Sequence, residues 1–204
     1  MSVGTPFNPL DKKHLGESVA DALLRGEPVR LDSLEPFKGA GIYAIYYAGD
    51  FPLYCPISDR NRNGQFQQPI YVGKAIPEGA RRGGLGLGLD PGTALFKRLR
   101  EHAQSIEQAD NLDLKAFYCR FLVVDDIWIP LGESLLIAKF APLWNQWLDG
   151  FGNHDPGKGR YGQERSRWDV LHPGRSFAIK CADRQESIDQ IFTEIEARLR
   201  DIYY

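Results

Sequence analysis

The stretch GIYAIYY, Gly41 to Tyr47, carries three tyrosines in seven residues. Isoleucine and tyrosine suit a pleated surface, and glycines bound the longer run GAGIYAIYYAG, so the segment predicts a β-strand. Strand alternation places Tyr43, Ile45 and Tyr47 on one face, and Ile42, Ala44 and Tyr46 on the other. Packing is one reason for so many aromatic rings. Chemistry at one phenol is another, and the rest of the chain decides between them.

Working outward, PIYVGKA (69–75) and KAFYCRFLVV (115–124) read as two further strands. Between the first two strands lies DFPLYCPISDRNRNGQFQQ, polar, turn-rich and too long for a tight hairpin. The run IPEGARRGGLGLGLDPG after PIYVGKA predicts a glycine-rich loop. TALFKRLREHAQSIEQA predicts a helix with Thr93 as its N-cap. IPLGESLLIAKF predicts another, with Pro130 in the first turn and a stop at Ala141-Pro142. Amphipathic spacing adds helices over 11–25 and 187–202 at the two ends. This order implies an α+β domain in which helices flank a small, mainly antiparallel three-stranded sheet.

The chain has 204 residues, 43% hydrophobic and 25% charged, as expected of a folded single domain over 1–204. No apolar run is long enough to span a bilayer, and the N-terminus lacks a secretory pattern. The three cysteines, Cys55, Cys119 and Cys181, form no CxxC pair. Reduced thiols in a cytoplasmic protein are the simplest reading. Net charge is −2, but residues 60–100 hold eight basic side chains against Glu78 and Asp90. A second basic stretch, 158–175, holds five against Glu164 and Asp169. A basic centre in an acidic chain implies a local anionic partner, although such runs are often only solvated faces.

Several motifs fail on inspection. In GGLGLGL the third position of a GxGxxG fingerprint falls on Leu89, and Gly73-Lys74 is followed by Ala75 rather than Ser or Thr. Asp113 and Lys115 in LDLK have the acid-x-Lys spacing of metal-dependent nucleases, with Asp90 as an upstream acid. A surface turn explains that tripeptide better. NHD (153–155) hints at a histidine nuclease, yet no second histidine or cysteine lies near it in sequence.

One ordered set survives: GIY at Gly41–Tyr43, YVG at Tyr71–Gly73, RLREH with Arg98 and His102 four apart on one helix face, then Glu133 and Asn145. The set resembles the GIY-YIG nuclease family, with valine in place of the usual isoleucine of the second motif. The family core would span 40–146, with an inserted DNA-contacting loop over 48–68 and a C-terminal extension over 147–204. The resemblance implies that Tyr43 is the general base or a relay to it. It implies that Tyr71 positions water and phosphate, Arg98 holds the scissile phosphate and His102 helps activate the tyrosine. Glu133 would be the single carboxylate on Mg²⁺, which Mn²⁺ replaces, and Asn145 would orient phosphate or structure. These types suit phosphodiester hydrolysis, which needs an activated water and positive charge at the phosphate. Lys74 would add positive potential near the phenol. Lys97 is expected to face solvent. Tyr46 is expected in the core, with Tyr47 lining the cleft.

Within the family, GIYAIYY, PIYVGKA, FKRLREH and GESLLIAKFAPLWN resemble the type II restriction-enzyme branch, above all its plasmid-borne members that cut CCGCGG. No zinc finger, helicase motif or separate helix-turn-helix is attached. The branch implies palindromic double-stranded DNA as partner, a homodimer on that DNA and a place in a restriction-modification system. Lys74 and five arginines, Arg60, Arg62, Arg160, Arg165 and Arg167, are the candidate DNA contacts, the arginines because they suit the guanine edge. Two other readings stay open: an inactive nucleic-acid-binding module of the same fold, and a repair or mobile-element nuclease.

Overall fold

Asp11 starts the first described helix. Its carboxylate accepts from the Lys13 N–H at 2.8 Å and caps helix α1 (Lys12–Leu24). There follow strands β1 (Val29–Arg30) and β2 (Gly41–Tyr47), helix α2 (Cys55–Ser58), strand β3 (Pro69–Ala75), helix α3 (Ala94–Glu107) and strand β4 (Phe117–Val123). Helices α4 (Ile129–Phe140), α5 (Leu143–Gln146), α6 (Arg167–Leu171) and α7 (Ile188–Tyr203) complete the chain. The structure is a computed structural model and describes residues 8, 10–77 and 90–203. The expected loop GGLGLGL, with Arg81 and Arg82 before it, lies outside the described residues.

The fold is α+β, as its element order implies, but the antiparallel sheet has four strands rather than three, in the order β1-β4-β2-β3. The addition is β1, whose Val29 and Arg30 pair with Cys119 and Tyr118. Two residues are too few to display a period in sequence.

Strand β2 is interior, so helices cover it on both faces and all seven of its residues are buried. Its alternation is as expected. Tyr43, Ile45 and Tyr47 enter the larger core with Leu95, Leu99, Ala103 and Ile106 of α3. Ile42, Ala44 and Tyr46 enter the smaller core with Ala20 and Leu23 of α1 and Ile129 and Leu136 of α4. Tyr47 therefore does not line a cleft. It is buried, and its hydroxyl accepts from the Phe51 N–H at 2.8 Å.

Helix α4 lies close on β2 because Gly132 has no side chain. A Cβ there would stand 2.9 Å from Ile42 Cδ1 and 2.8 Å from Val19 Cγ1. Glu133 is the next residue, so that close approach sets its height over the sheet. Thr93 precedes α3, but its side chain makes no capping bond. The start of α3 is held by backbone instead, with Leu95 N–H donating to Gly39 O at 3.0 Å.

The 48–68 insertion is only partly the polar loop its composition implies. It contains α2, and Leu53, Tyr54, Ile57, Ser58 and Asn61 are buried. The Asn61 side chain donates to Tyr47 O at 2.9 Å and Gln68 O at 2.8 Å, tying the loop base to β2. Tyr54 accepts from Trp144 Nε1 at 3.0 Å and reaches the C-terminal extension, where His172 Nε2 lies 2.5 Å from its hydroxyl. The extension itself adds Phe151, Trp168, Leu171, Ile191, Ile195 and Leu199 to the core that holds Tyr43. This packing brings segments far apart in sequence into one hydrophobic core. The three cysteines are free thiols.

Candidate active site

The centre of the site is a cross-strand pair. Tyr43 of β2 faces Gly73 of β3. A Cβ on Gly73 would lie 2.4 Å from the Tyr43 hydroxyl, so the phenol occupies the space that any side chain at 73 would fill. This explains why YVG ends in glycine. From that position the Tyr43 hydroxyl lies 2.5 Å from His102 Nε2 on α3. Burial raises the Tyr43 pKa well above that of an ordinary phenol, and neighbouring Tyr71 adds to this, while Arg98 opposes it. Burial first, then Arg98 and His154, hold His102 well below the usual imidazole range. Both groups are therefore neutral near pH 7. A phenol O–H donating to a bare Nε2 is the arrangement that suits both.

A cavity of about 760 Å³ opens above this pair, and Tyr43, Tyr71, Lys74, Arg98 and Glu133 all line it. Two faces of the sheet contribute. Tyr43 and Tyr71 come from the α3 side, with ring centroids 6.2 Å apart. Lys74 stands opposite Ile42, whose face α4 covers, and so meets Glu133. Lys74 Nζ lies 2.7 Å from Glu133 Oε2. The groups converge at the C-terminal end of β3, where Ala75, Ile76 and Pro77 also border the cavity.

Arg98 and His102 share a face of α3 at helical spacing, as expected. His102 points inward and is buried, while Arg98 reaches the cavity. The Arg98 guanidinium donates to Glu101 Oε2 at 3.0 Å and to Gly152 O at 3.1 Å, and it also contacts His154 Nε2. Lys97, expected to face solvent, is exposed but borders this cavity as well.

Asn145 is elsewhere. Its carboxamide accepts from Val72 N–H and donates to Val72 O, both at 2.8 Å. It acts as one rung of a missing neighbour for edge strand β3, holding the strand that carries Tyr71 and Lys74, and it does not line the cavity.

The candidate DNA-contacting arginines are scattered. Arg62 donates to Gly49 O at 2.9 Å and pairs with Asp50 and Asp59. The Arg60 guanidinium lies 4.5 Å from the Tyr203 ring centroid. Arg165 pairs with Asp183 at 3.1 Å, and Arg167 with Glu194 at 2.6 Å. Arg167 is only 12% exposed and also donates to Trp147 O. Arg160 is exposed in the loop before α6. Lys74 alone of the six candidate DNA contacts lies in the cavity.

The rival acid-x-Lys pair is a turn. Asp113 is exposed and its carboxylate accepts from Lys115 N–H at 2.9 Å. Asp90 likewise closes a local turn onto Gly92 N–H. Among the described residues, no cluster of three His, Cys, Asp or Glu is placed to hold a metal. Glu133 is a carboxylate in the cavity with a cation already 2.7 Å from it, and a hard oxygen donor of this kind fits Mg²⁺, which keeps several waters.

Sequence reasoning missed the contribution of the C-terminal extension. Phe151 stacks on the His102 ring with centroids 4.6 Å apart and planes at 18°. Gly152 and His154 then border the cavity beside Arg98. A Cβ at Gly152 would come within 2.9 Å of the Tyr71 hydroxyl. Only NHD gave any hint of this, and its histidine partner proves to be distant in sequence.

No described helix is long and apolar enough to cross a membrane. No curated protein matches the chain significantly. Residues 35–199 match the family described as the Eco29kI GIY-YIG domain, which covers most of the chain, the 48–68 insertion and nearly all of the C-terminal extension. The chain belongs to this family of GIY-YIG restriction endonucleases.

Proposed function

We propose that this nuclease is a type II restriction endonuclease that hydrolyses palindromic double-stranded DNA as a Mg²⁺-dependent homodimer, with CCGCGG as its site. The observation that carries the chemistry is the 2.5 Å contact of Tyr43 with His102 beneath a cavity holding Arg98, Lys74 and Glu133. Water attacks phosphorus, one P–O bond forms and one P–O ester bond breaks, and the leaving oxygen takes a proton from solvent. The water proton passes to the Tyr43 oxygen as the Tyr43 proton passes to His102 Nε2, so no free phenolate has to form in a buried site. Arg98 takes the non-bridging oxygens, for which its fixed charge and paired donors are suited. Tyr71 orients the water and the phosphate. Glu133 would hold Mg²⁺, which supplies positive charge to the phosphate and the leaving oxygen when bound. Mn²⁺ would serve in its place.

A palindrome presents two equivalent bonds, so a chain with one site acts on it as a two-fold pair. Free thiols and the absence of long apolar helices among the described residues accord with work in the cytoplasm, beside a matching DNA methyltransferase.

The test is digestion of a plasmid carrying CCGCGG by the purified chain in Mg²⁺, followed by sequencing of the ends. Ends at CCGCGG support the full reading. Ends at another palindrome replace the site and keep the class. Nicking without a fixed sequence supports a repair or mobile-element nuclease, and binding without any cutting supports a binding module. Glu133→Gln should abolish cutting and leave DNA binding measurable. Full cutting by that variant overturns the metal assignment.

A further inference from the structure

We propose that His154, from the C-terminal extension, is a further residue of this active site that contacts the scissile phosphate beside Arg98. The inference rests on the nuclease reading above and adds a residue to it.

The loop that presents His154 is a built feature. Arg175 is 1% exposed, and its guanidinium donates to Gly150 O at 2.8 Å, Phe151 O at 3.1 Å and Asn153 O at 3.2 Å. Asp169, also buried, accepts from Arg175 Nε at 2.6 Å and from the Ser166 hydroxyl at 2.6 Å. Three carbonyls of the 150–153 backbone are thus gripped by one cation. Above that grip, Phe151 seals the His102 ring and Gly152 O takes one arm of Arg98. The next side chain to reach the cavity is His154, which is 58% exposed on its side chain and so accessible to a ligand.

Its surroundings say what that ligand is. The imidazole Nε2 contacts the Arg98 guanidinium and lies 3.6 Å from Glu101 Oε2. Without DNA, the Glu101 carboxylate is the anion beside Arg98. A phosphodiester arriving at Arg98 competes with Glu101 for the same donors. The imidazole then lies between two anions, the phosphate and Glu101, and takes up a proton from solvent to donate to the phosphate. Among the described residues, the other charged groups facing this space are Lys97 on α3 and, across the cavity, Lys74 and Glu133. Asp155, next in the loop, is turned to Gly157 N–H and the Tyr161 hydroxyl. The isolated histidine of NHD thereby joins His102 at one site, one imidazole under the phenol and the other beside the phosphate.

Two measurements on the full chain test this. The first follows the ¹⁵N resonances of the His154 ring in EDTA as a duplex carrying CCGCGG is added at pH 7. A shift of both ring nitrogens towards imidazolium is expected. An unchanged ring under saturating duplex overturns the contact. The second is single-turnover plasmid cleavage in Mg²⁺. His154→Ala should slow it by about 10- to 100-fold, the loss of one charge-assisted hydrogen bond in the transition state, with an unchanged melting temperature. His154→Lys, which keeps a cation there, should recover at least about tenfold of that loss. A His154→Ala rate within about twofold of the parent overturns a role in catalysis. A parent chain that shows the ring shift but cuts nothing overturns the nuclease reading and leaves the contact standing. A parent that cuts while the ring is unmoved does the reverse.

Discussion

Gly73 lies directly across the β2–β3 ladder from Tyr43, and a Cβ on it would stand 2.4 Å from the Tyr43 hydroxyl oxygen. The glycine is therefore part of the placement of the phenol against His102. Gly73→Ala should force the Tyr43 ring off Nε2 and cost about 1–3 kcal/mol of stability through overpacking. Cleavage should fall by at least about 100-fold at temperatures where the variant is fully folded. Denaturant titration beside single-turnover rates checks both parts, and near-normal cutting would show that the pair is not needed.

Tyr43→Phe removes the relay without removing the ring. It should retain DNA affinity within a few-fold, because the ring packing stays, and lose about 10²- to 10⁴-fold in rate. Duplex binding in EDTA and single-turnover cleavage in Mg²⁺ separate the two effects.

Two buried imidazoles make folding sensitive to acid. His102 lies well below the usual range, and burial, with Arg175 nearby, lowers His172 to about 3. In the unfolded chain both titrate near about 6.5, so the unfolded state binds more protons below that value. The stability they contribute is complete above about pH 6.5 and is lost as pH falls towards the folded values. Each histidine adds a slope of at most about 1.4 kcal/mol per pH unit. Urea titrations from pH 7 to pH 5 should show it, and His172→Gln should flatten it. An equally steep curve in that variant would assign the acid sensitivity to other groups.

Asn145 offers a test between support and direct contact. Its carboxamide satisfies both backbone groups of Val72 at 2.8 Å. Asn145→Ala should cost about 1–3 kcal/mol by leaving those groups unpaired, and its cleavage loss should track the loss of β3 order. A variant of parental stability with weakened DNA binding would instead place Asn145 on the DNA.

The Arg175–Asp169 pair should be costly to break. Asp169→Ala leaves a buried guanidinium without its carboxylate, a change worth about 3–5 kcal/mol. Because Arg175 holds the loop carrying Phe151, Gly152 and His154, the folded fraction should also cut slowly. Melting temperature and the rate per folded molecule report these separately.

The chain order of GIY, YVG, RLREH and Glu133 singled out groups that the fold brings together, Tyr43, Tyr71, Arg98 and Glu133 at one cavity and His102 beneath Tyr43. Alternation along GIYAIYY sorted Tyr43 from Tyr46 correctly, because pleating alone sends neighbours to opposite faces. Helical spacing likewise put Arg98 and His102 on one face. These are local rules, fulfilled by residues close in sequence. Tertiary structure decided what local rules do not reach. Asn145 meets the backbone of β3 because an edge strand needs its polar groups satisfied. Tyr47 is core because the 48–68 insertion folds over it. The two-residue β1 exists only by pairing with β4. His154 and Gly152 enter the cavity because one buried guanidinium folds the 150–154 loop onto α3. The sequence by itself determined which candidate catalytic groups the chain carries and in what order. Long-range burial and the pairing of buried polar groups determined which residues surround it.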